Sequence, residues 1–205
     1  MELIKQLEDY SPFNAQEEKD RAELLRYLRT EPDCFTRKDH TAHITASAWV
    51  VNPCRDRVLM VYHNIYHSWS WLGGHADGDR NLLTVAVREV QEESGLCHVR
   101  PVTDNIFSVE ILTVDGHEKR GTYISSHLHL NVTYLLEADE MDPLRAKPDE
   151  NSGVAWFGLE EAVAASSEPW FQARIYRKLN KKLLLLERGI HADKMQRPGP
   201  EHETT

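Results

Sequence analysis

The chain has 205 residues, 40% hydrophobic and 28% charged, with 33 Asp plus Glu against 24 Lys plus Arg and a formal net charge of −9. That length fits one domain with terminal extensions, and the composition is that of a globular protein able to bury a core. The acidic balance excludes broad electrostatic binding to nucleic acid, and no apolar run approaches the ~18 residues of a membrane span.

Met1 to Lys5 lacks the apolar stretch of a secretory leader, so a cytoplasmic location is expected. The three cysteines, Cys34, Cys54 and Cys97, are odd in number and show no CxxC spacing, which points to free thiols. A phosphorylated substrate, if the protein takes one, would need a local cationic device or a metal ion.

Helical spacing runs over residues 2–9 and 15–29. In the second stretch Ala22, Leu24, Leu25, Tyr27 and Leu28 form an apolar stripe, while Glu17, Glu18, Lys19, Asp20 and Arg21 are expected on the solvated face. Ile44–Val51 and Val58–Tyr62 read as strands around the turn Asn52-Pro53. Residues 63–80, rich in Trp, His, Gly and Asp, show no period and are expected to be a loop. Asn81–Ser94 is a helix, capped by Asn81 and ended by Gly95. Two long strands follow, Ile106–Val114 and Tyr123–Leu136. A short strand at Val154–Phe157 and a short helix at Leu159–Ala165 come next. A final amphipathic helix starts at Glu168, with Trp156 and Trp170 assigned to the core. Residues 196–205 are expected to be a disordered tail. This order, with its antiparallel turns, argues for an α+β fold with a mixed sheet.

The chemistry concentrates in Gly73-Gly74-His75-Ala76-Asp77-Gly78-Asp79-Arg80 and in Arg88-Glu89-Val90-Gln91-Glu92-Glu93-Ser94-Gly95-Leu96. On a helix Glu89, Glu92 and Glu93 fall at i, i+3 and i+4, so three carboxylates share one face and repel one another. A hard divalent cation relieves that repulsion, because Mg²⁺ takes oxygen ligands together with substrate phosphate. The glycine pair lets backbone approach the same ion. Carboxylates so crowded should hold raised pKa values without metal, so activity is expected at neutral or alkaline pH.

Gly74, Arg88, Glu89, Val90, Glu92, Glu93, Gly95 and Leu96 match, at every spacing, the 23-residue signature of Nudix hydrolases, which this chain therefore resembles. The resemblance implies a Nudix-type α/β/α sandwich with a mixed β-sheet and extra terminal helices. It divides the chain into an N-terminal helical extension (1–38), a Nudix domain (39–167) and a C-terminal helix packed on it (168–195). It implies Mg²⁺- or Mn²⁺-dependent hydrolysis of a diphosphate linkage in a small nucleotide-type substrate. Gly73, Glu89, Glu92 and Glu93 would then hold the metal, and Glu89 is a further ligand or the base. Arg88 would orient Glu89 or Glu92 through a bidentate pair. Glu150 is the candidate for an acid supplied from a later loop, against the reading of a plain exposed loop acid. One position departs from the signature, Arg80 standing where the family has Glu.

Outside the signature, Tyr66 and Trp69 either stack on a base or belong to the core. His127 and His129 alternate along a strand and share a face. They form a polar strand surface, or they reach phosphates or a metal. A zinc site from His63, His67 and His75 lacks any helical HExxH spacing. Two other functions stay open, a noncatalytic ligand-binding module and an isopentenyl-diphosphate isomerase-like activity. A homodimer is compatible with the terminal helices.

Overall fold

The computed structural model describes residues 2–119 and 121–196. Two helices open the chain, α1 (Glu2–Asp9) and α2 (Ala15–Thr30), the second capped by Asn14, whose side chain accepts from the Glu17 N–H. β1 (Ala42–Val51) and β2 (Arg57–His63) stand where strands were expected. The stretch expected as a loop is not all loop, because β3 (Ser68–Ser70) pairs with β2 and β4 (Leu72–His75) pairs with β1. Strands of three and four residues are too short to carry a period, and their partners supply the order. α3 (Leu82–Ser94) begins at Asn81, which accepts from the Thr84 N–H, and ends at Gly95 with φ 75°.

Beyond it come β5 (Val99–Pro101), β6 (Ser108–Val114), the hairpin β7 (His117–Lys119) and β8 (Thr122–Ile124), and then β9 (His127–Ala138). The expected strand Tyr123–Leu136 is thus two strands, interrupted at Ser125 and Ser126. β10 (Asn151–Gly158) leads into α4 (Leu159–Ala165) and α5 (Pro169–Phe171). A π-helical turn (Gln172–Tyr176) passes into α6 (Arg177–Gln196). Gln196 is helical, and the rest of the expected disordered tail, residues 197–205, lies outside the described residues.

Eight strands form one mixed sheet in the order β10-β2-β1-β9-β5, with β3 on β2, β4 on β1 and β6 on β9. β1 and β9 run parallel over ten residue pairs, from Ala42 opposite Leu128 to Val51 opposite Glu137. Alternation gives the two faces of this pair different jobs. Ile44, Ala46, Ala48 and Val50 join Leu130, Val132 and Tyr134 in a core with Leu7, Leu24, Val85, Ala86 and Val90 from α1, α2 and α3. On the other face Trp49, Val51 and Leu135 pack on Val163, Tyr176, Leu179 and Leu183 from α4, the π-turn and α6. Helices on both faces of a mixed sheet make the expected sandwich. The second face turns polar farther along, through His43, Thr45 and Ser47 on β1 and His127, His129, Asn131 and Thr133 on β9. Trp170, assigned to the core from sequence, is 46% exposed, and Trp156 is partly buried against the first core.

Glu17, expected in solvent, is fully buried. Its carboxylate accepts from Lys182 Nζ at 2.8 Å and pairs with Lys178 Nζ at 3.2 Å, both from α6. Lys178 also donates to Glu110 Oε1 at 2.8 Å, and Glu110 Oε2 accepts from Asn131 and Thr133. The Asn131 carbonyl accepts in turn from Thr45 and Ser47. One buried polar chain therefore ties α2 and α6 to the polar face of β1 and β9. Among the described residues, no helix is long and apolar enough to cross a membrane.

Candidate active site

α3 lies against β4 and brings its acids under the two glycines. Glu93 is buried, and its Oε2 accepts the Gly73 N–H at 2.9 Å. Glu89 packs directly on Gly74, where an added Cβ would stand 2.5 Å from the carboxyl carbon, so no larger residue fits while Glu89 holds this place. Burial pushes the Glu93 carboxyl up to about 8, with nearby Glu89 and Glu150 adding to the effect against the Gly73 hydrogen bond. Glu89 is raised by burial and then by Glu92. Glu92 is more exposed and meets Lys147 Nζ at 3.2 Å, while the same ammonium reaches Glu150 at 2.9 Å.

These carboxylates open on a cleft of about 720 Å³. Gly73, Glu89, Glu92, Glu93 and Glu150 all line it, as do Tyr66, His127 and His129. Trp69 does not; it sits edge-on to Tyr62 and Phe157 and covers Gly153, a packing role. Trp71, two residues on, lines the cleft instead. Arg88 stands beside the lining and makes ion pairs of 3.6 Å to Glu89, 3.7 Å to Asp79 and 4.0 Å to Glu92. These are loose contacts to three acids, not the expected bidentate pair.

The family model of the NUDIX domain matches residues 41–179, more than half of the chain. The chain belongs to the Nudix family. Among its relatives, the asymmetrical bis(5'-nucleosyl)-tetraphosphatase of Rattus norvegicus is 29% identical over 97 residues, covering 47% of this chain and 59% of that protein. The enzyme of the same name from Sus scrofa is 27% identical over 114 residues, 55% of this chain and 71% of that one. The match thus spans less than two thirds of the rat protein. The structure of the E. coli dihydroneopterin triphosphate pyrophosphohydrolase superposes with a TM-score of 0.51 at 13% identity, over 69% of this chain and 95% of that one, a likeness of fold.

Within this Nudix domain, the residue that departs from the signature has its own partner. The Arg80 guanidinium lies 4.5 Å from the centroid of the Phe35 ring, and Arg80 is absent from the cleft lining. The cleft also holds groups that were not singled out from sequence. His43 joins His75, His127 and His129, whose candidate ligand atoms all lie within 4.8 Å of one another. Of the three histidines weighed for zinc, only His75 belongs to this cluster; His63 stacks near Tyr66. Asn131, Thr45 and Ser47 floor the same cleft, and the exposed Tyr123 and Ile124 of the β7–β8 hairpin stand at its rim. The signal for His43 was present as the alternation His43-x-Thr45-x-Ser47, which matters only once β1 is paired with His127-x-His129-x-Asn131.

Proposed function

We propose that this Nudix protein hydrolyses a diphosphate linkage in a nucleotide-type substrate with the help of Mg²⁺ or Mn²⁺. The observation that carries the reading is the convergence of Glu89, Glu92 and the buried Glu93 on one cleft beside Gly73 and Gly74. The donor set suits a hard ion, being all oxygen, and the raised Glu93 and Glu89 carboxyls lack enough cationic partners of their own. Glu89, Glu92 and Glu93, with the Gly73 carbonyl and Glu150, would hold it. Bound there, the ion supplies charge neutralisation on phosphoryl oxygens and acidifies water.

The protein groups do the rest. Glu93 is fixed by the Gly73 N–H, and that bond sets the distance between helix and glycine pair. Glu89, half-buried and with a carboxyl raised by burial and by Glu92, serves as a further ligand or as the base that takes a proton from the attacking water. Arg88 biases Glu89 and Glu92 toward the cleft by charge without touching substrate. Lys147 holds Glu92 and Glu150 together, a positioning role that the ion would partly replace. Tyr66, exposed in the cleft lining, offers a face for a base. The names of the mammalian relatives point to dinucleoside polyphosphates as the first substrates to try.

Chelator-treated protein should be given Mg²⁺ and a panel of dinucleoside tetraphosphates, nucleoside triphosphates and nucleotide sugars, with nucleotide products followed by chromatography. Glu92→Gln, at an exposed position that the fold does not need, is expected to lower the rate by more than about a hundredfold, beyond what outer-shell changes cost. A variant that keeps the parent rate sinks the reading.

A further inference from the structure

The floor of the cleft carries a second constellation, chemically unlike the acids. β1 and β9 run parallel with His43 opposite His129 and Thr45 opposite Asn131, and β4 sets His75 opposite Thr45 from the other side. One sheet face therefore gathers His43, His75, His127 and His129 from three strands that are far apart in sequence. One ligand atom from each of the four lies within 4.8 Å of the other three. A tetrahedral ion with metal–nitrogen bonds of 2.0–2.1 Å needs separations of about 3.3 Å, a contraction that rotamer adjustments can supply.

The hydrogen bonds fix which nitrogens are free to bind. His43 Nδ1 lies 3.1 Å from the Asp39 carbonyl oxygen, which can only accept, so that nitrogen carries the proton. The lone pair is then on Nε2, which is buried and has no hydrogen-bond partner, in a side chain with only 4% of its residue exposed. A buried, unpaired acceptor costs stability unless something fills it. His127 Nδ1 likewise donates to the Ser125 carbonyl at 2.8 Å, and its Nε2 then accepts from His129 Nε2 at 3.2 Å, a proton that a bound ion would displace. Imidazoles oriented by backbone carbonyls with the other nitrogen pointing at a common centre are the usual outer shell of a metal site.

We propose that His43, His75, His127 and His129 bind a borderline divalent transition ion of the zinc type, in the same cleft as the acids and separate from them. Four neutral imidazoles suit such an ion and suit Mg²⁺ poorly. They also leave its charge uncompensated, unlike a thiolate or carboxylate set. The cleft needs that charge. Among the described residues, its lining Arg37 and Lys147 are both engaged, Arg37 with Asp77 through two hydrogen bonds of 2.6 and 2.8 Å, and Lys147 with Glu92 and Glu150. An ion on the imidazoles would give an acidic protein a cationic patch for the phosphate chain of its substrate. The site itself does not depend on the hydrolase reading, since it requires only the four nitrogens.

The test uses tag-free, chelator-treated full chain in excess Mg²⁺, titrated with Zn²⁺ and, for its visible spectrum, with Co²⁺. One equivalent should bind, with the outer-shell multiple scattering of imidazole rings at the zinc absorption edge. His127→Asn, at a partly exposed position, and His129→Asn should each weaken binding by at least about tenfold. The melting temperature of His127→Asn without metal should stay at the parent value, so that lost binding is not lost folding. Glu92→Gln should bind Zn²⁺ as the parent does. The proposal is overturned if no equivalent binds in excess Mg²⁺, if His127→Asn binds as tightly as the parent, or if Glu92→Gln abolishes binding. A zinc edge without imidazole multiple scattering would overturn it as well.

Discussion

Glu93 keeps its carboxyl where ionisation is costly. Its pKa of about 8 in the fold against 4.5 in the open chain means that the metal-free protein holds a proton there at neutral pH. The sign follows from linkage: between 4.5 and about 8 the unfolded chain has lost this proton and the folded chain has not, so stability of the metal-free protein falls as pH rises through that window and levels off above it. A divalent ion bound to the acids needs the proton gone, so its stabilising effect should grow as pH rises toward 8. Melting temperatures of chelator-treated protein, with and without Mg²⁺, should show a larger Mg²⁺ shift above pH 8 than well below it. In Glu93→Gln the metal-free decline should be smaller, with what is left coming from the raised Glu89. An Mg²⁺ shift independent of pH would remove Glu93 from the ligand set. At this scale the signature was legible from sequence because its spacing is local to one helix. The fixed bond from Gly73 to Glu93 and the diversion of Arg80 onto Phe35 were not, since each depends on a partner in another element.

The helices at the two ends are joined through buried charge. Glu17 of α2 would be raised by burial, but Lys178 and Lys182 of α6, with hydrogen bonds from Lys182 and Tyr10, outweigh it and bring it down to about 2. Such a carboxylate stabilises the fold above 4.5, and the contribution is lost as pH falls from there through about 2. Removing one partner of a buried ion pair leaves an uncompensated charge and costs about 3–5 kcal/mol. Glu17→Gln should therefore lose about that much in urea denaturation at neutral pH, and the gap to the parent should narrow toward pH 2. A loss below about 1 kcal/mol at neutral pH would show that Lys178 and Glu110 suffice alone. The sequence Glu17-Glu18-Lys19-Asp20-Arg21 looks like a solvated run because its lysine partners are some 160 residues away, where no local period can announce them. α3 was legible for the opposite reason, with Asn81 and Gly95 marking its ends within its own neighbourhood. β3 and β4 were missed because strands this short owe their existence to β2 and β1.

Across the whole molecule, the family-matched stretch 41–179 ends just inside α6 and leaves out α2. It therefore retains Lys178 and Glu110 but loses Glu17, Lys182 and the contacts of Leu7 and Leu24 with the first core. We expect a 41–179 fragment to lack a cooperative thermal transition, whereas the full chain should melt in one step; a fragment that melts cooperatively within a few degrees of the parent would show the terminal helices to be dispensable. The sandwich itself was readable from the order of elements, but the division of one sheet face into a polar floor and an apolar seat for α6 was not. That division comes from the register between β1 and β9, which sequence spacing does not encode.

The parallel pairing of β1 with β9 also bears on how the chain is made. Ala42 waits for Leu128, 86 residues downstream, and at ~5–20 residues per second on a ribosome that is roughly 4–17 s of elongation. Throughout that interval a strand whose ten residues all end up buried, Trp49 among them, has no partner on its longest side. Neither the imidazole floor nor the seat for the last helix can exist until β9 has emerged. The nascent protein thus spends seconds with the longest edge of a strand that ends fully buried still open, an interval in which a chaperone would find its binding site.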